Sequence, residues 1–154
     1  SIPGLSTKLI CFDTSVVDLT DQLADPVEVL FGVQLGGGTD INSALAYCEK
    51  QIEISTKTHL ILITDLYEGG DANSMLARAA AIKQSGVNVI VLLALSDSGH
   101  PTYDSKHAGA IASLGCPVFA CTPDQFPSMM ACALTKRDLQ SWAAEEDIAF
   151  VRGA

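Results

Sequence analysis

Two short stretches carry the side chains best placed for chemistry. The first is His59-Leu60-Ile61-Leu62-Ile63-Thr64-Asp65, an apolar run that stops on a carboxylate. Five uncharged residues from Leu60 to Thr64, mostly branched aliphatics, predict a strand buried on both faces. A charge inside such a strand is costly, but at its carboxyl end it faces the crevice where open α/β sheets place ligand groups. The second stretch is Gly36-Gly37-Gly38-Thr39-Asp40, directly ahead of an amphipathic segment. Glycines before a helix raise the question of phosphate binding. However, the run lacks the Lys-Ser/Thr of a Walker A loop, and Ile41 breaks a GxGxxG spacing. From those residues alone the favoured reading is a flexible turn with a helix cap.

Other polar clusters point to less. His100 and His107 flank Asp104, but no Ser or Cys has a nucleophile elbow around it, so both histidines read as solvated loop and helix-surface residues. The five cysteines are odd in number and contain no CxxC pair. With the three histidines they show no zinc-ligand spacing, and they read as reduced core thiols of a cytoplasmic protein. The formal charge of -9 disfavours nucleic acid and anionic membrane as partners and suits cations or basic protein surfaces. The longest apolar run, residues 87–95, is too short to cross a bilayer.

The elements that must position these residues follow from periodicity. A chain of 154 residues, 48% of them hydrophobic, is sized for one domain with a real core. Residues 8–12 and 16–19 predict two strands joined by Asp13-Thr14-Ser15, a connection so short that they form an antiparallel hairpin. Asp25-Pro26 opens a short helix. After the glycine run, Ile41, Ala44, Leu45, Cys48 and Ile52 recur at helical spacing, with Thr39 or Asp40 as cap. Asp71 caps a helix with Met75, Leu76, Ala79 and Ile82 facing inward, stopped by Gly86. Residues 87–95 predict another doubly buried strand. Asp104 caps a helix closed by Gly115, and residues 117–120 form a short final strand. Thr122-Pro123-Asp124-Gln125 has the form of a capping box, and Met129 and Met130 belong to the inner face of the helix after it. Trp142 lies on a last helix, and residues 148–151 are apolar without a clear place. Alternating strands and helices predict α/β with a mainly parallel sheet.

Taken together, Gly-Gly-Thr-Asp, the helix INSALAYC and a strand ending Ile-Thr-Asp resemble the von Willebrand factor type A (VWA) domain. The strand LICFDT with its short antiparallel partner is similar to that family's sheet edge. The segment YDSKHAGAIASLGCPVFACTPDQFPSMMACAL resembles the end of bacterial CoxE-like members. The implied fold is a Rossmann-like three-layer sandwich with a mainly parallel sheet and one antiparallel edge strand, filled by residues 1–154 as a single domain.

The resemblance implies a metal-ion-dependent adhesion site in which three loops offer oxygens to Mg2+ or Mn2+. Thr39 matches the threonine of the second loop and Asp65 the aspartate of the third. Hydroxyl, carboxylate and water suit a hard cation, with a partner's Glu or Asp completing its shell. Asp40 then acts as helix cap or outer support beside Gly38, and Tyr67 and Glu68 lie on the rim. The family's first loop, Asp-x-Ser-x-Ser, has no counterpart ahead of Lys8. The expectation is a domain incomplete at its N-terminus, with an open slot beside residues 60–64 that residues 148–151 could fill. Metal is then held weakly or not at all by this chain alone. The implied function is a non-enzymatic, cytoplasmic protein-binding module working with a MoxR-type AAA+ ATPase. Two alternatives stand beside it. One is a structural scaffold with a vestigial metal site. The other is a Mg-dependent phosphoryl-transfer enzyme built on Asp65, which the absence of Lys or Arg in the nearby loops opposes.

Overall fold

The computed structural model describes residues 8, 10–12, 16–18, 20, 40–94, 103–121, 128, 132, 141, 143, 144 and 149–151. The expected helix after Asp25, the run from Gly36 to Thr39, the Thr122-to-Gln125 cap, His100, Met129, Met130 and Trp142 lie outside them. The chain forms two compact units, Ser1–Ile52 with Glu68–Met75, and Glu53–Tyr67 with Leu76–Ala154.

In the first unit, β1 (Ile10–Phe12) and β2 (Val16–Asp18) form the expected antiparallel hairpin, with Ile10 opposite Asp18 and Phe12 opposite Val16. Helix α1 (Ile41–Gln51) packs on both strands and buries Ile41, Ala44 and Leu45, the i, i+3, i+4 face of its sequence. Polar bonds fasten the same contact. The Tyr47 hydroxyl donates to Asp18 Oδ2 at 2.7 Å, and Lys8 Nζ donates to Gln51 Oε1 at 3.1 Å. Helix α2 (Ala72–Gln84) begins in this unit and continues in the second.

The second unit is built on a sheet in the order β3 (His59–Thr64), β4 (Asn88–Ala94), β5 (Val118–Cys121) and β6 (Ala149–Val151). β3, β4 and β5 are parallel, with His59 level with Asn88 and Val91 level with Val118. β6 is antiparallel to β5, pairing Val118 with Val151. Helix α3 (Ser105–Ser113) packs on β5 and β6 and buries Ala108 and Ile111. The core is the central strand. Val89, Ile90, Val91, Leu92 and Leu93 are each at most 4% exposed, as an aliphatic run covered on both faces requires.

Three expectations are corrected here. β3 was expected to be buried on both faces, but Ile63 is 49% exposed, and β3 stands at one end of the order of the described strands. The double burial belongs to β4. The strand at residues 117–120 is not the last, because the tail adds β6. That tail fills no slot beside β3: it supplies the antiparallel edge at the opposite end of the sheet, beyond β5.

Helix ends follow their sequence signals. Gly86 and Gly115 sit just past α2 and α3 with φ of 105° and 86°, the left-handed conformation that stops a helix. Cys116 and Cys132 are buried, and burial pushes the thiols of Cys48 and Cys116 up.

Candidate functional site

The turn that follows β3 carries the Asp65 carboxylate and is held by hydrogen bonds at the Asp65 and Leu66 carbonyls and at the Leu66 and Tyr67 N–H groups. Thr64, 8% exposed, accepts the Leu66 N–H on its hydroxyl at 3.1 Å. Asp65 is half-buried, and its Oδ1 accepts the Tyr67 N–H at 3.1 Å. Its backbone carbonyl accepts the Asp104 N–H at 2.9 Å. Between them Leu66 has φ 61° and a fully buried side chain. A bulky residue in that region costs about 1–3 kcal/mol and persists only where its surroundings dictate it. Tyr67, expected on the rim, is 52% exposed.

His107 supplies the remaining tie. Its Nδ1 lies 2.9 Å from the Leu66 carbonyl oxygen and 3.2 Å from Asp104 Oδ2. Both neighbours are acceptors, so Nδ1 carries the proton and donates. Asp104 is also the N-cap of α3, accepting the His107 N–H on Oδ1 at 3.0 Å. The expectation of a solvated His107 is therefore wrong: its side chain is 15% exposed and bridges two elements.

In the first unit, the N-terminus of α1 gathers Asp40 and Glu68. Asp40 is the N-cap, with Oδ1 accepting the Ser43 N–H at 2.9 Å and Oδ2 accepting the Ser43 hydroxyl at 2.7 Å. The Ser43 hydroxyl, then its N–H, holds the Asp40 carboxyl below the usual carboxylate range. Glu68, expected on the rim, spends its carboxylate on backbone. It accepts Ile41 N–H at 3.3 Å, Asn42 N–H at 2.9 Å and Gly70 N–H at 3.0 Å. The N–H groups of Ile41, Asn42 and Ser43, which have no partner within α1, are thus met by two carboxylates, and the helix's own bonding starts with the Ala44 N–H donating to the Asp40 carbonyl at 3.3 Å. A phosphate at this helix end would meet two negative charges instead of open N–H groups, which counts against the phosphoryl-transfer alternative.

Of the residues expected to hold a metal, Asp65 is described, while Thr39 and its neighbour Gly38 lie outside the described residues. The half-buried Asp65 carboxylate at the end of a parallel strand is a hard oxygen donor and fits Mg2+ or Mn2+ in kind. Among the described residues no three His, Cys, Asp or Glu side chains are grouped to hold a metal ion. Leu66 and His107 are the residues that sequence reasoning missed. A weak signal existed for His107 in its place three residues after the capping Asp104. None existed for Leu66, since the left-handed region normally takes Gly or Asn.

Comparison with known proteins agrees with this architecture. The family described as VWA domain containing CoxE-like protein matches residues 1–130. The chain is 45% identical over 130 residues to the uncharacterized protein YehP of Escherichia coli (strain K12). That match covers 84% of this chain and 34% of YehP, so the chain spans about a third of that relative. No solved structure matches significantly. No helix among the described residues is long and apolar enough to cross a membrane. VWA domains are in general protein-interaction modules. With that match over most of its length, and with a mainly parallel α/β sheet ending in Asp65, the chain belongs to the CoxE-like family of VWA-domain proteins.

Proposed function

We propose that the chain is the protein-binding module of a larger, cytoplasmic protein and that it grips its partner through a divalent cation. Asp65 and Thr39 would hold the Mg2+ or Mn2+, together with the family's Asp-x-Ser-x-Ser loop, and a Glu or Asp of the partner would complete the shell. When bound, the cation supplies an electrophilic bridge between two proteins and performs no bond-breaking chemistry. Asp40 and Glu68 support the reading indirectly. They fasten the start of α1, two residues after Thr39 in sequence, by accepting the Asn42 and Ser43 N–H groups.

The observation that carries the proposal is the Asp65 turn. A carboxylate at the carboxyl end of a parallel strand is followed by a buried Leu at φ 61°, and strain of this kind concentrates at functional sites. The partner class, a MoxR-type AAA+ ATPase, rests on the family alone. The net charge of -9 is compatible with a basic protein surface as the target.

Thermal unfolding with and without Mg2+ or Mn2+ tests the reading, on this chain and on one extended to include the family's first loop. A ligand of the folded state raises the midpoint. The expected outcome is a metal-dependent rise in the extended chain that Asp65→Ala abolishes. If neither chain responds, Asp65 is a strand-end residue and the module is a scaffold with a vestigial site.

A further inference from the structure

We infer that His107, steadied by Asp104, is a positioning residue for Asp65, and that its Nδ1–H sets the turn from which the Asp65 carboxylate is offered. The inference rests on the reading of Asp65 as a metal ligand and adds to it a residue from a distant helix. Two bonds tie α3 to the turn some 40 residues upstream. Asp104 N–H donates to the Asp65 carbonyl at 2.9 Å, and His107 Nδ1 donates to the Leu66 carbonyl at 2.9 Å. They fall on consecutive carbonyls, those of the two peptide groups that flank the Leu66 Cα. That residue holds φ 61° with its side chain buried, so the turn is not one that leucine adopts unaided. The imidazole is itself fixed. Asp104 Oδ2 lies 3.2 Å from the same nitrogen, and the ring is 15% exposed. Local bonds to the turn come from the Leu66 N–H, which donates to Thr64 Oγ1, and the Tyr67 N–H, which donates to Asp65 Oδ1. Groups that orient a metal ligand from behind typically change affinity by about 10–100-fold when removed.

Two substitutions separate the donor from the bulk. His107→Leu keeps the volume and removes the N–H. His107→Asn removes the ring but keeps an N–H donor on Cγ, where Nδ1 is attached. The carbon-13 backbone shifts of Leu66 report its left-handed conformation in this chain, and Mn2+ affinity is measured on the full-length protein. We expect His107→Leu to lose the left-handed signature and to weaken Mn2+ about tenfold, and His107→Asn to retain both. The inference is overturned if His107→Leu leaves Leu66 and Mn2+ affinity unchanged, or if His107→Asn is as damaged as His107→Leu. Asp65→Ala is the control for the underlying reading. If it binds Mn2+ as well as the parent, the assignment of Asp65 is what fails, and the Leu66 shifts still decide whether His107 sets the turn.

Discussion

Glu68 accepts the backbone N–H of Asn42 at 2.9 Å, across 26 residues of sequence. The bond joins the loop after β3 to the first turn of α1, and with the N–H of Ile41 it makes Glu68 part of that helix's N-terminal cap. A carboxylate that looked like a rim group is thus a structural anion, placed where the helix dipole favours negative charge.

Removing it therefore destabilises the fold. Glu68→Ala leaves the N–H groups of Ile41 and Asn42 without their acceptor and loses charge-assisted bonds, an expected cost of about 1–3 kcal/mol. Asp40→Ala removes the neighbouring cap for about 1 kcal/mol. Because both groups serve one helix end, the double variant is expected to depart from additivity. Urea unfolding of the three variants measures this. A Glu68→Ala midpoint equal to that of the parent would show that the helix does not depend on the bond.

Acid should weaken the first unit through Asp18. The Thr20 hydroxyl, then the Tyr47 hydroxyl and the Thr20 N–H, lower its carboxyl from 3.8 to about 2. The folded value lies below the unfolded one, so the contribution is complete above the unfolded value and is lost as pH falls through that interval. Asp40 and Asp71 are lowered too, chiefly by the Ser43 and Ser74 hydroxyls, and add loss of the same sign. The same bond raises the Tyr47 phenol above its ordinary 10.0, and that contribution is lost at alkaline pH. Melting temperatures should fall more steeply from about pH 4 to about pH 2 in the parent than in Asp18→Asn. Parallel curves for the two proteins would exclude the mechanism.

Glycine substitutions separate conformation from space. Gly86 has φ 105°, and an added Cβ would stand 3.1 Å from Thr56 Cγ2, so Gly86→Ala is expected to cost about 1 kcal/mol or more. Gly109 lies inside α3, and an added Cβ would meet nothing within 4 Å. Gly109→Ala is expected to stabilise by about 0.5–1 kcal/mol, since alanine is the better helix former. Opposite shifts in the thermal midpoints check the pair.

Periodicity and caps made much of this fold legible before any coordinates. The inward face of α1, the Asp40, Asp71 and Asp104 helix starts and the Gly86 and Gly115 stops are local signals, each written within a few residues. The hairpin of β1 and β2 followed from the length of its connection. What the sequence concealed was relational. The apolar runs of β3 and β4 look alike, and only pairing shows that β4 is central while β3 stands at one end of the order of the described strands. β6 is three residues long and gains its identity from β5. At the candidate site, Asp65 was visible because a carboxylate ending an apolar run is unusual. The Leu66 conformation and the His107 tie were not, because they depend on contacts 39 and 41 residues apart in sequence.

The difference between those two strands can be measured with one residue type. Ile90 in β4 and Ile63 in β3 are both isoleucines in parallel strands, but Ile90 is 0% and Ile63 is 49% exposed. Truncating Ile90 to Ala removes fully buried methyl groups and leaves a cavity between tightly packed neighbours, an expected loss of about 2–5 kcal/mol. Truncating Ile63 to Ala forfeits only part of its transfer free energy and opens no closed cavity, so about 1 kcal/mol or less is expected. Denaturant midpoints at unchanged slope give both values directly. Equal losses would mean that Ile63 is covered in solution, and that the outer face of β3 takes part in packing as the central strand does.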